Sequence, residues 1–115
     1  MSFLDFLIVK TIFLVNAAFS FGKREIGPGI YSIDKETKLN LRRGTADMFV
    51  VCEVFRQKSY EKKPSFKIFP SDVVVDVGAH VGIFSVWAAQ KAHQGKVYAY
   101  EPNPENYRYL ENNKK

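Results

Sequence analysis

The sequence predicts an α/β fold whose second half opens a doubly wound parallel sheet, and three observations predict it. A continuous apolar run, Val73-Val74-Val75, ends in Asp76-Val77, the pattern of a strand buried on both faces. Glycines follow at Gly78 and Gly82 and lead into Ile83 to Ala92, which has helical spacing. A second strand, Val97 to Tyr100, ends on Glu101 and is stopped by Pro102-Asn103-Pro104. Strand, glycine turn, helix, strand and acid thus follow one another within about 30 residues, the size of one strand–helix–strand unit.

Length and composition bound the rest. The 115 residues are 46% apolar, 15% aromatic and 25% charged, a globular balance that excludes a fully disordered or collagen-like chain. The length allows one domain. A single cysteine, Cys52, excludes an intramolecular disulfide and a four-thiolate zinc site, and its apolar neighbours Val50, Val51 and Val54 point to a buried, inert thiol. The net charge of +5 comes from scattered Lys and Arg, so an anionic partner is permitted but not demanded.

Three segments follow in order. Residues 1–22 hold an apolar stretch from Phe3 to Phe21, interrupted by Asp5, Lys10 and Asn16, which reads as a helix. Its longest uncharged part, Thr11 to Gly22, is short for a bilayer span, and Asp5 is the first charge where a signal peptide begins with a positive one. A packed or interfacial helix therefore ranks ahead of a membrane anchor, with Lys23 and Arg24 suited to an anionic headgroup surface. Residues 23–70 form a β-rich lead-in. Gly27-Pro28-Gly29 is a breaker, and Ile30 to Ile33 with Lys38 to Leu41 predicts a hairpin around Asp34-Lys35-Glu36-Thr37. Arg42-Arg43-Gly44-Thr45 is a second turn. Met48 to Phe55 is a strand or a short helix, since periodicity does not separate the two over so short a run, and Asp47 is placed to cap a helix there. Ser59 to Pro70 is polar and reads as a loop. Residues 71–115 hold the unit described above. In its crossover helix Ile83, Val86 and Trp87 face inward, while Gln90 and Lys91 face out. Gly95 is placed as the glycine just past the helix end. Asn103 is placed to cap a last helix with Pro104 at its first position.

The turn between the strands carries the chemistry. Gly78 and Gly82 allow unusual φ angles and leave room for a ligand against the backbone. The helix beginning near Gly82 aims its first N–H groups at the same place. Ligands of open α/β sheets bind outside the carboxyl ends of the strands, where Glu101 is positioned to accept from two vicinal hydroxyls, as a ribose presents. A dinucleotide fingerprint fails, because His80 and Ile83 stand where it needs glycine. The spacing present is D-x-G-x-x-x-G, over Asp76, Gly78 and Gly82. An acid before the glycines repels a pyrophosphate and suits a cofactor with a cationic centre and an amino group. S-adenosylmethionine has both, with a ribose for Glu101.

V-V-V-D-V-G-A-H-V-G-I-F-S followed by K-V-Y-A-Y-E-P-N-P-E-N-Y-R-Y-L resembles class I S-adenosylmethionine-dependent methyltransferases, and within them the FkbM-like family. The close match spans about Asp72 to Asn113, and a looser one reaches back over Thr45 to Tyr60. The resemblance implies a Rossmann-like doubly wound sheet, of which this chain holds the first two strands and the crossover helix. It implies that Asp76, Gly78 and Gly82, with Ala79 and His80 in the same turn, line the methionine end of the cofactor. Glu101 would hold the ribose, with Pro102 and Asn103 beside the adenosine. His80 stands where the family often has a small polar residue. The activity implied is methyl transfer, commonly to a hydroxyl of a sugar or natural product, so the partners are a small-molecule or glycan acceptor and no nucleic acid.

Blander readings stand beside these. Asp76 is also a residue that satisfies turn amides, and Gly82 also permits close helix packing. Tyr98 and Tyr100 fall on one face of their strand, and the crossover helix is expected to cover them. His80 and His93 have no partner at metal-ligand spacing. Elements that such enzymes place after the second strand are missing, so the chain reads as truncated and is expected to transfer no methyl group alone. The rivals are a non-catalytic module for an adenosine-containing ligand and a membrane-associated fragment acting through Phe3 to Phe21. The expected location is cytoplasmic, with membrane association through that stretch.

Overall fold

A computed structural model of the chain describes residues 25–27, 29–62 and 65–114. The apolar stretch Phe3 to Phe21 and the Lys23-Arg24 pair lie outside the described residues. Among the described residues, no helix is long and apolar enough to cross a membrane.

The lead-in is a three-stranded antiparallel sheet in the order β1 (Glu25–Gly27), β2 (Ile30–Ser32), β3 (Lys38–Asn40). The predicted hairpin is β2–β3. Asp34 closes it, because its Oδ1 accepts the N–H groups of Glu36 and Thr37 at 2.9 and 2.7 Å and its Oδ2 accepts the Thr37 hydroxyl at 2.9 Å. This is an Asx turn standing in for backbone pairing. The breaker before it carries Gly29 at φ +73°, which turns β1 into β2.

Met48 to Phe55 is helical. A short α1 (Asp47–Val51) runs on as a π-helical turn, Cys52–Arg56, in which the Gln57 N–H reaches back five residues to the Cys52 carbonyl at 2.9 Å. Asp47 does not cap this helix: Ala46 is the capping residue and no side chain bonds there. The Asp47 carboxylate is taken by Arg42 instead, as described below. Cys52 is buried, and burial pushes its thiol pKa up.

The second unit is parallel. β4 (Val73–Val77) pairs with β5 (Lys96–Tyr100) in register Val73↔Lys96 to Val77↔Tyr100. α2 (Ile83–Lys91) crosses between them, and α3 (Pro104–Asn113) follows. Asn103 caps α3 as predicted, its side chain accepting from the N–H groups of Glu105 and Asn106 at 2.9 and 3.2 Å. One buried core joins the two units: Leu39 and Leu41 of the lead-in, Val51 and Val54 of the helical segment, Val81 of the glycine turn, and Ile83, Trp87 and Ala88 of α2. Tyr60, Phe84 and Trp87 stack at its rim, with ring centroids 4.7 to 6.0 Å apart. Buried Asn113 fastens the halves. Its Oδ1 accepts the Asn40 N–H at 2.6 Å, and its Nδ2 donates to the carbonyls of Asn40 at 3.0 Å and Val81 at 2.8 Å.

Three expectations are corrected. β4 is not buried on both faces: Val74 packs on the core, whereas Val73, Val75 and Val77 are exposed. Tyr98 and Tyr100 are exposed as well. They lie opposite Val75 and Val77 in the register, and α2 covers the other face, that of Val74 and Val97. Helices on one side of a sheet leave alternate residues on the other side uncovered. Gly95 does not follow the helix as a left-handed cap; Ala92 is the capping residue. Glycine is required there because a Cβ would run into the Asp72 backbone carbonyl.

Candidate functional site

The site is built at the carboxyl tips of β4 and β5, where the turn 78–82 is stapled to the end of β5. The N–H groups of Gly78 and Ala79 both donate to the Tyr100 carbonyl, at 2.8 and 2.9 Å. The His80 N–H donates to Glu101 Oε2 at 2.8 Å. The Asn103 N–H donates to Glu101 Oε1 at 2.8 Å. The Asn103 bond leads in holding the Glu101 carboxyl below its ordinary value of 4.5; desolvation, next in weight, pushes it up, and the His80 N–H and the nearby Asn106 side chain add to the lowering. A carboxylate offers roughly four acceptor positions. The His80 and Asn103 N–H groups occupy part of Glu101, which leaves acceptor capacity for ligand hydroxyls.

The turn adopts this shape because three of its residues take positive φ: Gly78 at +80°, His80 at +58° and Gly82 at +87°. The two glycines differ in what their missing Cβ spares. Beside Gly78 there is nothing within 4 Å, so the backbone is open to a ligand. Beside Gly82 a Cβ would meet Leu110 Cδ1 at 2.6 Å, so that space is filled by α3 and not left for a ligand. Gly82 lets the two helices approach closely and starts α2 as its capping residue. Ala79 is buried under the turn, and its N–H is spent on Tyr100.

Asp76 lies opposite Ala99 in the parallel register. Asp76 is the last residue but one of β4, and Glu101 is the first residue after β5. Asp76 is oriented by α2, since the Ser85 hydroxyl donates to its Oδ2 at 2.6 Å. Pro102 is exposed beside Glu101, where it ends the strand without adding a donor.

Residues that sequence reasoning assigned to turns or caps also belong here. Arg42 and Asp47 form a two-pronged ion pair, with Nε to Oδ2 at 3.0 Å and Nη2 to Oδ1 at 2.9 Å, and Asp47 is 1% exposed. The same guanidinium donates to Asn106 Oδ1 through Nη1 and to His80 Nε2 through Nη2, both at 2.8 Å. Desolvation pushes the Asp47 carboxyl up, but the Arg42 bonds outweigh it and hold the pKa below its ordinary 3.8. For Asp47 the signal available in the sequence was the loose resemblance over Thr45 to Tyr60, which local propensity leaves without a reason; Arg42 lies outside that stretch.

A family model for the TRM5/TYW2 methyltransferase domain matches residues 48–115. The chain belongs to this family of S-adenosylmethionine-dependent methyltransferase domains. Three curated proteins are similar over 56% of the chain. "Methyltransferase sdnD" of Sordaria araneosa is 35% identical over 66 residues, and "Methyltransferase 1" of Beauveria bassiana is 32% identical over 66 residues. "AMB antimetabolite synthetase AmbE" of Pseudomonas aeruginosa is 37% identical over 65 residues. The aligned part spans 24% and 25% of the two methyltransferases and 3% of the synthetase. No solved structure matches the chain. The methyltransferase domain match begins at Met48, so it takes in the helical segment of the lead-in as well as the parallel unit.

Proposed function

We propose that this methyltransferase domain binds S-adenosylmethionine at the tips of β4 and β5 and serves methyl transfer of the FkbM type to a hydroxyl of a sugar or natural product. The observation that carries the reading is Glu101: an ionised carboxylate, fixed by the His80 and Asn103 N–H groups, facing a turn whose Gly78 is open. In this reading Glu101 accepts from a ribose hydroxyl, with Pro102 and Asn103 beside the adenosine. Asp76, turned by Ser85, faces the amino and sulfonium end across Gly78. Ala79 and His80 shape the turn, and Gly82 supports it from behind through Leu110.

The donor set fits the cofactor. It offers a carboxylate for a hydroxyl, a second carboxylate for positive charge, and a side-chain-free backbone between them. When bound, the cofactor supplies an electrophilic methyl group on a sulfonium. The chain's own contribution is positioning: it holds the adenosyl end still, so that an acceptor oxygen approaches in line. Residues 71–115 act as the N-terminal half of the cofactor-binding domain, with 23–70 as its lead-in. The acceptor is a small molecule or glycan, a choice that the scattered basic residues leave open, since they form no nucleic-acid patch along the sequence. We place the protein in the cytoplasm, with residues 3–21 as a contact for a membrane surface.

Calorimetry with S-adenosylmethionine, NAD and ATP on the full chain tests the reading. Saturable binding of S-adenosylmethionine alone, abolished by the double variant Asp76→Asn and Glu101→Gln, is the expected result. Preference for NAD or ATP, or binding that survives the double variant, contradicts it.

A further inference from the structure

Arg42 lies in the lead-in, 59 residues before Glu101 in the chain (101 − 42), yet two hydrogen-bonded paths lead from it to that carboxylate. One runs from Nη1 to Asn106 Oδ1 at 2.8 Å; the Asn106 N–H donates to Asn103 Oδ1 at 3.2 Å, and the Asn103 N–H donates to Glu101 at 2.8 Å. The other runs from Nη2 to His80 Nε2 at 2.8 Å, and the His80 N–H donates to Glu101 at 2.8 Å. The guanidinium is itself fixed. Asp47 binds it through two nitrogens and also accepts the Arg42 backbone N–H at 2.9 Å. The Tyr109 ring lies 5.7 Å from the guanidinium carbon. A planar fork that satisfies several acceptors at once is what arginine offers and lysine does not.

His80 gives this arrangement a reason. It takes φ +58°, a left-handed conformation that costs a non-glycine residue roughly 1–2 kcal/mol. That conformation presents the His80 N–H to Glu101 while the ring accepts from Arg42. The turn is therefore held from the lead-in side as well as by the strand it leaves.

We propose that Arg42, anchored by Asp47, is a positioning residue for Glu101: it holds the carboxylate through Asn106 on one side and the His80 turn on the other, and so sets how strongly the site reads a ribose hydroxyl. The inference rests on the reading that Glu101 takes the ribose. It also gives the lead-in a role in the site, since Arg42 and Asp47 precede the parallel unit.

The test uses the full chain and S-adenosylhomocysteine, compared by calorimetry with the same compound lacking its ribose 2′- or 3′-hydroxyl. The wild type is expected to lose about tenfold in affinity with at least one of the two deoxy compounds, the scale of one charged hydrogen bond. Arg42→Met and Asn106→Ala are expected to bring that ratio to within about twofold, as Glu101→Gln does. Asn106→Ala leaves the Arg42–Asp47 pair intact, so it keeps the test valid if Arg42→Met unfolds. A ligand-free readout accompanies it: carbon-13 NMR titration of the Glu101 carboxyl, whose pKa should rise toward the ordinary glutamate value in both variants. Retained discrimination and an unmoved Glu101 titration overturn the positioning role and leave the ribose reading standing. A wild type that binds neither compound, or binds the parent and both deoxy compounds alike, overturns the ribose reading and this inference with it.

Discussion

The same two strands end in one way and face outward in another. At the carboxyl tips of β4 and β5, backbone N–H groups of the turn have named partners, and the His80 and Asn103 N–H groups converge on Glu101. On the open face Val73, Val75, Val77, Tyr98 and Tyr100 touch little, and Val77 is 81% exposed. The contrast separates two kinds of order. The tips are fixed by directional bonds that reach back to the lead-in through Arg42 and Asn113. Among the described residues, the open face is fixed by the register of the ladder. A ligand site needs the first kind, because preorganised donors and acceptors select a ligand while an uncovered apolar surface does not.

Perturbations on the two sides should differ accordingly. The largest effect is expected for Asp47→Ala, which strands the Arg42 guanidinium beside His80. Removing one partner of a buried ion pair costs about 3 kcal/mol, to be read as a fall in the urea midpoint at constant slope. The same pair sets an acid limit. The Asp47 pKa is depressed on folding, so the stability it contributes is complete above its ordinary 3.8 and is lost as pH falls through the lowered value. Urea midpoints measured from pH ~6 down to pH ~2 should show this limb in the wild type and less of it in Asp47→Asn.

The glycines come next. Gly82→Ala combines a left-handed φ with a displaced Leu110 and should cost about 2 kcal/mol. Gly78→Ala meets no atom and should cost about 1 kcal/mol of stability, while weakening S-adenosylhomocysteine binding more than Gly82→Ala does at equal folded fraction. Equal effects on binding would dissolve the distinction between a packing glycine and a ligand glycine. The smallest effect is expected on the open face, where Val75→Thr should change stability by no more than about 0.5 kcal/mol, checked by the same denaturation.

Local chemistry made much of this legible in the sequence. Asp34 announces its turn, Asn103-Pro104 its helix start, and Val73 to Glu101 the strand–turn–helix–strand order, because each depends on neighbours a few residues away. What stayed hidden depends on distant partners. Whether Val75 and Tyr98 are covered is decided by which elements pack beside the sheet, and alternation alone does not name them. Gly82 and Gly95 look like conformational glycines, yet each also answers to a contact, with Leu110 and with Asp72. Asp47 looks like a helix cap and is an arginine's counter-ion, a choice that turns on where Arg42 lies. Glu101 was legible as a strand-end acid; its His80 donor was not, since His80 meets it only in the fold.

Amide chemical-shift mapping of the full chain with S-adenosylhomocysteine tests the central claim most directly. The shifts are expected to gather at Gly78 to His80 and Glu101 to Asn103, with Val75 and Tyr98 unmoved. Shifts centred on the open face, or none at any concentration of ligand, would contradict it.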